Sequence, residues 1–206
     1  MADSYEAKLP ETPGYKQRYF GWSQSTFGGH LACTSIATIM ACAMADDQQI
    51  SKYDLADEDK LGFLTEFGCG LWKENVRGLK DESTASVTKK HCFFAQGNNY
   101  HNESYQGYWG DVLNTGGLIS LPAMVSVIRS EHHKHGSVGA VITDNVVSFA
   151  VGITVRDGVK WVLFDSHAPG AKYRTIPLVD EAYVAKSIKA FAARKDSIFD
   201  CTVFWR

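Results

Sequence analysis

The chain has 206 residues, 45% hydrophobic and 21% charged, with a formal net charge of -2. That length suffices for one domain whose core removes roughly 70% of the unfolded surface from water, and the composition is that of a globular protein rather than a disordered or fibrous one. The basic excess that would neutralise phosphates is missing and the apolar runs fall far short of the ~20 residues of a bilayer span, so neither a nucleic acid nor a membrane is expected as partner.

Residues 1–20 are polar, contain Pro10 and Pro13 and follow neither secondary-structure period, so they are read as an extended arm before a domain at 21–206. Met1-Ala2-Asp3-Ser4 lacks a signal-peptide core. A soluble, intracellular protein is expected, with a monomer as the default. From Thr34 onward, Ile36, Ile39, Met40, Ala43 and Met44 recur at three- and four-residue spacing, which predicts a helix with one buried face to about Ala45. Leu61, Leu64 and Phe67 predict a second helix ending near Gly68, and Trp72 to Val76 a short third one. The Gly-, Asn- and aromatic-rich segment from Lys80 to Gly117 reads as loops with a short strand at His91 to Ala95. Within it Tyr100, Tyr105, Tyr108 and Trp109 are either a partner-binding surface or the core of a long loop.

Ser120 and Pro122 mark a helix start with Met124, Val127 and Ile128 on its inner face and a polar stop at Glu131 to Gly136. The rest is β-rich: strands are predicted at Ser137 to Thr143, Val146 to Val155 and Val159 to Phe164, the last two joined by an Asp157-Gly158 hairpin turn. Lys172 to Ile176 is a further strand, Asp180 to about Arg194 an amphipathic helix, and Cys201 to Trp205 a closing strand. Helices come first and an antiparallel sheet follows.

Five cysteines (Cys33, Cys42, Cys69, Cys92, Cys201) are scattered without a CxxC pair, so neither a zinc site nor a disulfide framework is expected. The run Glu131-His132-His133-Lys134-His135 is read as a solvated loop, since its histidines lack i,i+4 spacing; no metal and no cofactor are expected. The sequon Asn102-Glu103-Ser104 would matter only in a secreted protein.

Asp165-Ser166-His167 closes the apolar run Trp161 to Phe164. Strand residues two apart share a face, so the carboxylate and the imidazole stand side by side as a base and its orienter. The bland reading is an Asx-type turn closing a strand. Cys33, after Gly28-Gly29-His30-Leu31-Ala32, opens the first helix, where the macrodipole favours thiolate; its bland reading is a buried core cysteine. Together Cys33, His167 and Asp165 read as a thiol hydrolase, with the Cys33 backbone N–H and Gln24 as oxyanion donors and Gln17 as a weaker substitute for the latter.

A nucleophile at the start of a central helix with its base on a later sheet is the layout of papain-like α+β cysteine proteases. The chain resembles the cysteine protease domain of the herpesvirus large tegument protein and its tegument-like deubiquitinase relatives. In that family a Gln precedes a Gly-containing loop, a nucleophilic Cys opens a helix and an Asp-x-His motif ends a late strand, roles that map onto Gln24, Cys33, Asp165 and His167. Ala32 stands where the family commonly has Gln. The resemblance implies an α+β papain-like fold and hydrolysis after the C-terminal Gly-Gly of ubiquitin or a ubiquitin-like modifier. Such a tail calls for a narrow cleft, with Gly28 and Gly29 as one wall, and for acidic groups drawn from Asp46, Asp47, Asp54, Asp57, Glu58 and Asp59. The same triad also serves papain-like peptidases and acyltransferases on other substrates, and the fold can persist as a non-catalytic binding domain that holds ubiquitin or another partner.

Overall fold

The computed structural model describes residues 15–47, 51–52, 55–76, 99–109, 117–144, 146–156, 158–167, 169–178, 181–191 and 198–206. The predicted strand at His91 to Ala95, Cys92, Asp54 and Asp157 lie outside them.

An eight-stranded sheet forms the middle layer, in the order β1-β9-β8-β7-β6-β10-β4-β5. Its strands are β1 (Lys16–Tyr19), β4 (His101–Tyr108), β5 (Ile119–Ser120), β6 (Val138–Thr143), β7 (Ser148–Thr154), β8 (Lys160–Asp165), β9 (Lys172–Pro177) and β10 (Ile198–Trp205). Only β4 and β5 run parallel; every other neighbour is antiparallel. A separate two-residue pairing joins β2 (Ser51–Lys52) to β3 (Leu55–Ala56). The period-2 alternation splits the sheet into two cores. Val141, Ala150, Val162 and Phe164 face helices α1 (Cys33–Ala45) and α2 (Glu58–Val76). Ile142, Val151, Leu163 and Val203 face α3 (Leu121–His135) and α4 (Glu181–Lys189). Helices cover both faces, so the central strands are buried throughout and read as continuous apolar runs.

Several elements depart from the sequence expectation. Lys16–Tyr19, inside the expected arm, is an edge strand whose Gln17 is opposite Arg174 on β9. Helix α1 is buried from Thr34 to Ala45 on all sides, because the sheet covers one face and α2 the other. Helix α2 runs unbroken through Gly68 and Gly70 instead of stopping at Gly68. A Cβ at Gly68 would stand 2.7 Å from Ile36 Cα, so this glycine marks a close helix–helix approach and not a C-cap. The aromatic segment read as loop is strand β4, paired along its full length with β10, and its Trp109 is buried against Phe199. Helix α3 begins as expected, with the Ser120 hydroxyl accepting from the Ala123 N–H at 3.3 Å, but it continues to His135. The polar stop fails because Glu131 is buried and bonded to Lys134 at 2.7 Å, which makes the run the last helical turn and not a solvated loop.

An alanine at an exposed helical glycine gains up to about 1 kcal/mol. At Gly68 the helix–helix contact reverses that sign, so Gly68→Ala is expected to lower the thermal midpoint; a higher midpoint would refute the contact.

Candidate active site

Helix α1 lies along β7 in the same direction. The Thr34 hydroxyl meets Ser148 at 2.8 Å where β7 begins, and Asp47, just past the helix, accepts from the Val155 and Arg156 N–H groups where β7 ends. This placement carries Cys33, half-buried as the first residue of α1, to the edge of the sheet where β8 ends in Asp165. Ala32 at the N-cap offers no side-chain acceptor to the first helical turn, so the positive end of the helix is not neutralised by a cap beside the thiol.

Three sequence-predicted residues come together there. The Asp165 carboxylate, 6% exposed, accepts from the His167 ring Nδ1 at 2.5 Å and from the His167 backbone N–H at 3.1 Å. With Nδ1 committed to Asp165, Nε2 is the ring atom left to act on the Cys33 thiol. Burial pushes the Cys33 thiol up, but the hydrogen bond and the charge of His167, helped by backbone and hydroxyl contacts from Ser148, bring it below its ordinary value. Burial pushes His167 down, but Asp165 and Cys33 together raise it to about 10. Burial likewise disfavours the Asp165 carboxylate, and the His167 bonds outweigh it and hold the group low. The lowered thiol and the raised imidazole beside it both favour the proton on the ring, the direction of a thiolate–imidazolium pair.

Ser148 gave no sequence signal, since it opens an ordinary apolar strand. Its hydroxyl also donates to Thr143 at 2.9 Å, so three buried hydroxyls, Thr34, Ser148 and Thr143, are linked beneath the thiol.

Gln24 begins a 3-10 turn, Gln24–Phe27, and is 6% exposed. Its N–H donates to the Ser166 carbonyl at 2.8 Å, and its amide spans from Ser166 to the carbonyl of His30 on the loop leading to Cys33. Gln17 is elsewhere, on β1, bonded to Tyr15 and Arg174. Gly28 ends the turn with φ +73, and the Lys73 ammonium donates to the Phe27 carbonyl at 3.1 Å. Gly29 is buried, and a Cβ there would stand 2.3 Å from the Cys69 sulfur. Both glycines therefore have a reason in the turn and its contact with α2, independent of any substrate.

Asp46 and Asp47 are just past the other end of α1, about 20 Å from Cys33 by helical rise, and Asp57 and Glu58 are at the start of α2. Asp46 pairs with Arg206, Glu58 with Arg18, Asp47 holds the β7 terminus, and Asp57 accepts from the Lys60 N–H at 3.1 Å. None of these four is beside the thiol, which corrects the expectation of an acidic lining there. Among the described residues, no group of three or more His, Cys, Asp or Glu side chains is arranged to hold a metal ion, and no helix is long and apolar enough to cross a membrane.

No protein-family model matches the chain, and no curated protein matches it. Among solved structures it is similar in fold to the ubiquitin-specific protease encoded by a murine cytomegalovirus tegument protein, solved in complex with a ubiquitin-based suicide substrate. The TM-score is 0.58, with 14% sequence identity over 92% of this chain and 85% of that one. The mixed α/β architecture, with helices around one large sheet, is thus a fold that a known protease also uses.

The paired charges predict a pH profile for alkylation of Cys33 by iodoacetamide, read by peptide mass mapping. Wild type should stay reactive below the pH at which an ordinary thiol ionises. His167→Ala removes the group that lowers the thiol and should move the midpoint upward by at least one pH unit. An unmoved midpoint would break the ion-pair assignment.

Proposed function

We propose that the chain is a papain-like cysteine deubiquitinase with Cys33 as nucleophile, His167 as acid and base, Asp165 as orienter and Gln24 in the oxyanion hole. The observation that carries the reading is the bond from His167 Nδ1 to Asp165 at the end of β8, beside a Cys33 thiol that His167 lowers. The fold likeness to a viral ubiquitin-specific protease supports the substrate class, as does the Gln, Cys, Asp-x-His order along the chain.

In this mechanism the Cys33 thiolate attacks the carbonyl carbon after the Gly-Gly of the modifier. The tetrahedral oxyanion is met by the Cys33 backbone N–H and the Gln24 amide. The His167 imidazolium gives its proton to the leaving lysine amine as the C–N bond breaks, leaving a thioester on Cys33. Neutral His167 then takes a proton from the water whose oxygen attacks the thioester carbon; the C–S bond breaks, which returns the Cys33 thiolate beside the imidazolium, and the modifier leaves as a carboxylic acid that loses its proton to solvent. Asp165 keeps Nδ1 protonated, so that Nε2 carries the travelling proton.

One observation favours a second reading, a papain-like peptidase or acyltransferase on another substrate: the acidic groups expected to meet a basic modifier tail are engaged at the far end of α1. Ubiquitin carrying a C-terminal thiol-reactive electrophile separates the two. The deubiquitinase reading expects a covalent adduct in wild type, none in Cys33→Ala and a slowed one in His167→Ala; a folded wild type that forms no adduct overturns it. Asp165→Asn should lower kcat at least tenfold, with KM within about twofold, because it disturbs the imidazole tautomer rather than the cleft. A loss confined to KM would remove Asp165 from that role.

A further inference from the structure

We propose that Ser166, the middle residue of Asp165-Ser166-His167, is a positioning residue that anchors the oxygen end of the Gln24 amide, so that with the His30 carbonyl it holds the NH2 end toward the reacting carbonyl; this rests on the deubiquitinase reading above. A carboxamide is useful in an oxyanion hole in only one of its two orientations. With the NH2 end forward it donates to the developing charge, and with the oxygen end forward it repels it.

Two contacts determine the orientation here. The carbonyl of His30 can only accept, so the amide atom 3.2 Å from it must be Nε2. Oε1 then faces the Ser166 hydroxyl, also at 3.2 Å, which donates to it and anchors the end that the His30 contact selects. One of the two Nε2 hydrogens is used on His30, leaving the second for an oxyanion.

Ser166 is 2% exposed and Gln24 6%, so water does not readily replace either bond, and an Oε1 stripped of its donor would be a buried acceptor without a partner. Ser166 is held in turn. Its carbonyl accepts from the Gln24 N–H at 2.8 Å, and its neighbours on both sides are fixed by the Asp165–His167 contacts. The residue between base and orienter thereby transmits the geometry of the β8 end to the loop that precedes the nucleophile.

The test compares wild type, Ser166→Ala, Ser166→Thr, Gln24→Ala and the Ser166→Ala/Gln24→Ala double variant. Turnover of a fluorogenic ubiquitin C-terminal amide is measured beside alkylation of Cys33 by iodoacetamide, a displacement that forms no oxyanion. Ser166→Ala should lower kcat by roughly ten- to a hundredfold, below the ~10²–10³ typical of deleting an oxyanion donor outright, with KM and alkylation unchanged. Ser166→Thr, which keeps the hydroxyl, should restore most of the loss, and Ser166→Ala should add nothing in the Gln24→Ala background. Wild-type turnover by Ser166→Ala, multiplying losses in the double variant, or alkylation falling in step with turnover would each overturn this role while leaving the deubiquitinase reading intact. A wild type that turns over no ubiquitin amide overturns both.

Discussion

The close seating of α1 on the sheet is the constraint from which the site follows. A Cβ at Gly139 would stand 1.9 Å from the Ala41 carbonyl oxygen, and one at Gly152 would stand 2.8 Å from the Met44 sulfur. The helix therefore rests on bare backbone at β6 and β7, with little freedom to slide or roll. Thirteen helical residues and seven extended ones both span about 20 Å, so α1 and β7 begin and end together. That equality sets Cys33 over Ser148 and level with the end of β8, where Asp165 and His167 emerge.

Burial alone would neutralise every ionisable group in the site. Cys33, His167 and Asp165 are each shifted toward the charged form, because each supplies an interaction that offsets the desolvation of its neighbour. Such a set is all-or-none in character: removing one partner leaves the others buried without compensation, so effects of single substitutions should not add. Around it the polar atoms continue in two directions. The hydroxyls of Thr34, Ser148 and Thr143 extend into the sheet, and Ser166, Gln24 and His30 extend into the loop before the helix. Helix α2 supports that loop through Lys73 and Cys69, a contact between residues about 45 positions apart in sequence.

The elements legible in the sequence were those with strong local period or chemistry: α1, the start of α3 at Ser120-Pro122, and the three central strands. Those misread had signals with two local meanings. Gly68 looks like a helix stop until Ile36 is found against it, and the polar run at 131–135 looks like a loop until Glu131 is found buried beneath Lys134. Strand β4 is rich in Asn, Gln, Ser and Tyr because one of its faces is largely exposed, and only its pairing with β10 makes it a strand. Helices on both faces of the sheet were likewise not written in the element order.

By itself the sequence determined the local placements: a cysteine opening a helix, and a carboxylate two residues before a histidine at a strand end, are patterns whose geometry is set by the periods of helix and strand. Tertiary structure decided whether those patterns meet. Cys33 and His167 are 134 residues apart, and what joins them is two close approaches of α1 to glycines of the sheet together with matched element lengths. It also decided that Asp46 pairs with Arg206 at the far end of α1 and that Ser166 faces Gln24. Distances across the fold depend on packing between segments far apart in the chain, and no local period encodes them.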